Sequence, residues 1–395
     1  MIGGGNGAKQ RAKKKENPTG ENIAYYSRGV DYIQRKIGFE FQTHGGNINV
    51  KKWENRNACF PEHGELIYEG AGFRMETDGT DLEYVTEAVD ESDAVGLEQK
   101  VTNASKLHMD ILGSKLKHEK FKDRGWYYMV DNGTQNYLIY KSGQRNAHPQ
   151  ATVGINLNKV YSFMNEMVNT RSKQIETIGY GGTTSKVNKD KQKKAVKAAI
   201  SNITSINGLT DKGRGFMAII EQYIDVCKTF SSKWPVNAKN AMPFMSRSNL
   251  YSYWKALDND EQNAIEIQIN KLGENVIIAK EKNNGGSSNL TLKNWFDNLK
   301  KGNDTLSSFH SVSNLSLTKE GEPNKEMQKY NIKNPLDIGD NRIGLLLELR
   351  AMKREVPPEK WPEVAEAVRK IVASTNQKQM GESIFSLTEI SSYKI

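Results

Sequence analysis

Cysteine is nearly absent from this chain of 395 residues: Cys59 and Cys227 are its two. Thiols so far apart build no disulfide framework and lack zinc-ligand spacing. The six histidines contain no His-x-x-x-His pair, so a zinc site of that kind is excluded as well. Long hydrophobic runs are missing. No stretch of 18 apolar residues is available to span a membrane, and no apolar signal-peptide core follows Met1. The expectation is a cytoplasmic protein, with export without a cleaved signal left open. Apolar residues make up 36% of the chain and mean hydropathy is −0.70, which calls for long polar loops or tails beside a core.

Charge is present in both signs: 56 basic against 47 acidic residues give +9, a mild bias toward anionic partners such as nucleotides. The basic residues do not make a nucleic-acid surface. The run Lys186–Lys197 reads as a basic helix in which few aromatics interleave, so base stacking is not supported. Residues 1–20 combine glycine, asparagine, proline and Lys13-Lys14-Lys15, the composition of a disordered basic tail. Gly3-Gly4-Gly5-Asn6-Gly7 is no phosphate loop, since neither a preceding strand nor a following Gly-Lys-Ser/Thr frames it.

Order begins at Ile37. Ile37, Phe39 and Phe41 alternate with Glu40 and Gln42, the period of a half-buried strand. Phe73 and Met75 alternate in the same way with Arg74, Glu76 and Asp78; Asp78-Gly79 marks a turn, after which Leu82 and Tyr84 flank Glu83. A sheet of such strands has one apolar face, and its other face gathers Glu40, Glu76, Asp78 and Glu83. Clustered carboxylates repel unless a cation or arginine joins them, so the face reads either as an ordinary solvent face or as a divalent-metal site. Further strands are expected at Leu66–Tyr68, Trp126–Val130, Tyr137–Tyr140, Ala151–Leu157 and Arg342–Arg350. Helices are expected from Glu87 to Lys117, from Asn158 to Ile178, from Phe216 to Phe230, within Ser246–Leu272 with Ser246 or Ser248 as N-cap, and from Pro362 to Val372. His148 reads as a turn residue, Lys280–Asn289 as a flexible loop, and Trp53 and Cys59 as core rather than chemistry. Strands, then helices, then a late strand give α+β architecture: a curved, largely antiparallel sheet with a polar carboxylate-bearing face, covered by helices.

Several of these pieces resemble one superfamily. Gly38-Phe39-Glu40-Phe41-Gln42 resembles the opening Gly-x-Glu-x-Glu strand of amidoligase-like proteins, of the wider glutamine synthetase and glutamate–cysteine ligase fold group. Thr77–Thr80 and Leu82–Thr86 resemble the second signature of that family. His148–Leu157 sits where the family has its next core strand, Met242–Arg247 resembles a Pro-x-x-x-Arg segment in its helical region, and Glu348-Leu349-Arg350 looks like a late sheet strand. The resemblance covers residues 30 to 375 in order. It implies an ATP- and Mg²⁺-dependent ligase that joins a carboxylate to an amine through an acyl phosphate. Metal would fall to Glu40, Glu76, Asp78, Glu83 and Glu348, nucleotide to Arg74 and Arg247, and catalysis to Arg247, Arg342 and Arg350. The sequence departs from the pattern at Gln42, which stands where the family has its second glutamate. The alternative is a non-catalytic binding protein or delivered effector or toxin on the same scaffold, its basic tail the address for secretion machinery. The expected organisation is a tail to residue 20, one domain over 21–375 with a helical insertion at 158–302 and a polar excursion at 303–335, and a loose terminus over 376–395.

Overall fold

The computed structural model describes residues 36–43, 48–54, 57–59, 64–78, 81–112, 126–130, 136–141, 146–180, 197–198, 201–203, 206–230, 243–246, 250–272, 277–283, 286–301, 344–353 and 355–377. Seven strands come first: β1 (Lys36–Thr43), β2 (Ile48–Glu54), β3 (Asn57–Cys59), β4 (Leu66–Gly70), β5 (Phe73–Asp78), β6 (Asp81–Thr86) and β7 (Val89–Asp90). Helix α1 (Ala94–Leu112) separates them from β8 (Trp126–Val130), β9 (Asn136–Lys141) and β10 (Ala147–Asn156). The middle of the chain holds α2 (Val160–Asn169), α3 (Lys173–Ile178), α4 (Asp211–Phe230), β11 (Phe244–Ser246), α5 (Leu250–Lys255), α6 (Asn259–Leu272), β12 (Ile277–Asn283), β13 (Gly286–Thr291) and α7 (Leu292–Lys300). Strand β14 (Gly344–Leu349) and helix α8 (Trp361–Gln377) end the described fold.

The main sheet runs β11-β14-β10-β1-β6-β5-β4, with β7 pairing beside β6 on β1. Every pairing in it is antiparallel. A second sheet runs β3-β2-β9-β8, and β12 pairs with β13 in a hairpin. The expected α+β fold with a largely antiparallel sheet is therefore the observed one. Among the described residues no helix is long and apolar enough to cross a membrane.

Alternation writes the sheet's two faces. On β1, β5 and β6 every second residue is buried, which sends Phe39, Phe41, Met75, Leu82 and Tyr84 into the core. Two threonine hydroxyls lock the register of β1 on β6. Thr43 Oγ1 donates to the Leu82 carbonyl at 3.1 Å and accepts from the Leu82 N–H at 2.9 Å. Thr86 Oγ1 accepts from the Phe39 N–H at 2.9 Å. A one-residue slip would reverse every side chain, so these bonds hold Glu40 and Glu83 on one face. Over the apolar face, α1 packs on α8 and α8 on β10. Trp361 is the keystone of that layer: its ring stacks on Phe41 at 4.3 Å, meets Tyr84 and His108, and its Nε1 donates to the Val356 carbonyl at 3.1 Å. The His108 ring nitrogen Nδ1 lies 3.0 Å from the Tyr84 hydroxyl, and burial pushes that phenol far above its ordinary range.

Several expectations need correction. The first helix starts at Ala94, not Glu87, because Asp93 caps it: Asp93 Oδ1 accepts from the Gly96 N–H at 2.8 Å. Asn158–Ile178 is broken in two. Ser172 accepts from the Ile175 N–H at 3.2 Å as N-cap of α3, and Gly179 ends that helix with φ 60°. His148 lies inside β10 rather than in a turn; the residue before a proline is driven to extended backbone, and Pro149 pairs with Phe41. Ser246 ends strand β11 and is buried, so it is no helix cap, and Phe244–Ser246 within Met242–Arg247 forms an edge strand rather than helix. Lys280–Asn289 forms most of the β12–β13 hairpin: charge and amide content masked a two-residue Asn284-Gly285 turn signal. Strands β2 and β3 have no counterpart among the expected elements, and α8 runs on to Gln377 past the expected loose start at residue 376. The expectations for residues 1–20, for 303–335, for most of Lys186–Lys197, and for Arg247 and Arg342 lie outside the described residues.

Replacing Trp361 by alanine should cost about 3–5 kcal/mol of stability, measured by denaturant unfolding; a loss below about 1 kcal/mol would show that the stack on Phe41 is not what anchors α8.

Candidate functional site

The register aligns the polar side chains of five adjacent strands in rows, with strands spaced about 4.8 Å apart. One row crosses the sheet as His148, Gln42, Glu83 and Glu76 on β10, β1, β6 and β5. The next crosses as Gln150, Glu40, Val85 and Arg74. Glu348 lies opposite Thr152, which lies opposite Gly38, and Asp78 lies opposite Asp81 at the hairpin end. Glu40, Glu76, Asp78, Glu83, Glu348, Arg74 and Arg350 are thus brought to one face by strands that are far apart in sequence. The sequence reading missed Gln150 and the siting of His148. The available signal was the alternation from Thr152 back through 150 and 148.

The electrostatics centre on Glu83. Burial pushes its carboxyl well above the ordinary 4.5, and the charges of Glu40, Asp78, Glu76 and Glu348 push it further, in that order of strength. Glu76 stands directly opposite Glu83 in the pairing register, an arrangement that destabilises a strand pair when both are charged. Two arginines moderate the face. Arg74 pairs with Glu76 at 3.0 Å, and Arg350 Nη1 donates to Glu348, which is fully buried. Each arginine therefore holds the carboxylate two residues away in sequence. Gln42, the departure from the family pattern, donates from Nε2 to Asp78 Oδ2 and accepts from Gln150 Nε2 at 3.4 Å.

Among the described residues, no three His, Cys, Asp or Glu side chains already converge as metal ligands. The donor set nonetheless fits a divalent cation: it is made of hard oxygens, and Gln150 Oε1 is buried with no hydrogen-bond partner among the described residues. Glu40, Glu76, Asp78, Glu83 and Glu348 are the residues that could hold such an ion, and Arg74 and Arg350 could meet an anion beside it.

No protein-family model and no curated protein matches the sequence. Two solved structures are similar. One is a Vibrio cholerae toxin from the MARTX/VgrG family, with 11% identity and TM-score 0.36 over 82% of this chain and 94% of that one. The other is a glutamate-to-glutamine mutant of the ACD domain of a VgrG Vibrio cholerae toxin, in complex with ADP and Mn²⁺, with 11% identity and TM-score 0.37 over 84% of this chain and 97% of that one.

The raised Glu83 carboxyl has a consequence for pH. Between about 4.5 and its raised folded value, the unfolded chain releases this proton while the folded protein keeps it, so stability falls as pH rises. In EDTA, the stability of Glu83→Gln minus that of the parent should grow by about 1.4 kcal/mol per pH unit across that window; a difference independent of pH would contradict the crowded-carboxylate description.

Proposed function

We propose that this protein is an ATP- and Mg²⁺-dependent ligase that joins a carboxylate to an amine, with its active site on the polar face of the main sheet. One observation carries the reading: four carboxylates, Glu40, Asp78, Glu76 and Glu348, crowd Glu83 on the polar face of the sheet, flanked by Arg74 and Arg350. Phosphoryl transfer depends on neutralising charge and aligning groups more than on a covalent nucleophile. The face has the residue types for both tasks. Glu40, Glu83 and the neighbouring acids would hold divalent cation, which supplies charge neutralisation for the phosphates when bound. Cation taken up by Glu76 and Glu348 competes with their arginine pairs, and this would turn Arg74 and Arg350 toward a phosphate or a substrate carboxylate. What favours ligase over other phosphoryl-transfer chemistry is motif order. The segments Gly38–Gln42, Leu82–Thr86 and Glu348–Arg350, which resemble amidoligase signatures, lie on strands of one sheet. Arg247 and Arg342 complete the proposed catalytic set, and the basic head over residues 1–20 would serve as the address of a delivered effector.

A second reading has its own observation. Gln42 takes the place of a charged ligand and its amide engages Asp78. A face that has lost one charge and committed one carboxylate suits a protein that binds without turning over. The two readings separate on turnover. Incubated with ATP, Mg²⁺ and mixed carboxylate and amine substrates, the ligase reading expects ADP to accumulate, and Arg350→Ala to abolish it. Mg-ATP binding by calorimetry without ADP would favour the second reading. Absence of any binding at millimolar Mg-ATP would overturn both.

A further inference from the structure

The polar face holds one buried group whose orientation is imposed from a distance. Gln150 stands on β10 opposite Glu40 and is 4% exposed. Its amide is one link of a relay: Gln150 Nε2 donates to Gln42 Oε1 at 3.4 Å, and Gln42 Nε2 donates to Asp78 Oδ2. The direction of the relay is set at its far end. A carboxylate accepts hydrogen bonds, so Gln42 turns its NH₂ to Asp78 and its oxygen to Gln150. Gln150 must then present its own NH₂, which points its carbonyl oxygen elsewhere. That oxygen is buried without a hydrogen-bond partner among the described residues. Turning the amide over would set oxygen against oxygen at Gln42. A buried acceptor left unmade is costly, and carboxylates stand beside it in the register: Glu40 opposite Gln150 on β1, and Glu83 opposite Gln42 on the next strand. Such an oxygen is matched by a cation.

We propose that Gln150 Oε1 is a neutral oxygen ligand for the divalent cation of this face. The inference rests on the cation-binding reading given above. A neutral ligand fits the local energetics: it adds a coordination bond without adding charge to a face already crowded around Glu83. An amide oxygen also keeps the donor set hard, favouring Mg²⁺ or Mn²⁺ over metals that select nitrogen or sulfur. The relay through Gln42 gives Asp78 a further role, as the group that keeps the Gln150 oxygen turned into the site.

Titration of the full chain with Mn²⁺ alone, followed by electron paramagnetic resonance, tests this beside melting in EDTA. Gln150→Met keeps the side-chain length and removes the oxygen. Its Kd for Mn²⁺ should rise by about tenfold, while its metal-free Tm stays level or rises, because an unmatched buried acceptor is gone. Gln150→Glu keeps an oxygen and adds a charge. Its Mn²⁺ affinity should equal or exceed that of the parent, and its metal-free Tm should fall through repulsion by Glu40. A Gln150→Met protein that binds Mn²⁺ as the parent does would overturn the assignment, as would one whose metal-free Tm drops with Kd unchanged, since Gln150 would then be structural. If Gln150→Met fails to fold, weaker Mn²⁺ binding by Gln150→Glu overturns it. Failure of the parent itself to bind Mn²⁺ would remove the cation reading and this inference together, whereas parental binding that Gln150→Met leaves intact removes this inference alone.

Discussion

Repulsion among carboxylates on one sheet face is the constraint on which the rest of the site depends. Glu83 is half-buried, and Glu40, Asp78, Glu76 and Glu348 all raise the cost of ionising it. Such a face is tolerated because several devices share its charge. Arg74 and Arg350 hold Glu76 and Glu348, Gln42 donates to Asp78, and Glu83 retains its proton to higher pH. A divalent cation would relieve more of the repulsion than any of these, and it would do so where two arginines are within reach of an anion. The proposed chemistry thus follows from what the face lacks electrostatically.

The apolar side of the same sheet makes this arrangement sustainable. Phe39, Phe41, Met75 and Tyr84 are buried behind the acids, and the stack of Trp361 on Phe41 fastens α8 to the sheet. Thr43 and Thr86 finish the β1–β6 pairing at its two ends, so the register that puts Glu40 and Glu83 on one face is fixed by bonds outside the site. Asn376 ties the end of α8 back to the sheet, donating to Glu91 Oε2 at 2.8 Å and to the Gly154 carbonyl at 3.0 Å. Stability is drawn from one face and strain is stored on the other.

Much of this was legible where the period-2 pattern was clean. Alternation in Ile37–Gln42, Phe73–Asp78 and Leu82–Tyr84 gave the faces, and with them Glu40, Glu76, Asp78 and Glu83. Glu348 joined them because a late apolar strand had to pair somewhere, and it pairs with β10. The pattern failed where composition overrode it. Polar residues hid β2 and the β12–β13 hairpin, whose sequences keep no clean period-2 alternation along their length. Gln150 escaped because a neutral amide carries no charge to notice and Pro149 disguised the strand around it. The arginine pairings were also beyond the sequence: Arg74 engages Glu76 on its own strand, and Arg350, one residue past β14, engages Glu348. Such a choice is made by side-chain packing, which spacing does not encode.

The central claim is that the face is a cation site under strain rather than a set of structural ion pairs. Melting the parent, Glu40→Gln and Glu83→Gln in EDTA and again in Mg²⁺ tests it most directly. The strained-site account predicts that both variants are at least as stable as the parent in EDTA, and that Mg²⁺ raises the Tm of the parent more than that of either variant. Structural pairing predicts the opposite sign, since a buried partner would be left uncompensated: clear destabilisation of both variants in EDTA, with no response of the parent to Mg²⁺, would contradict the account.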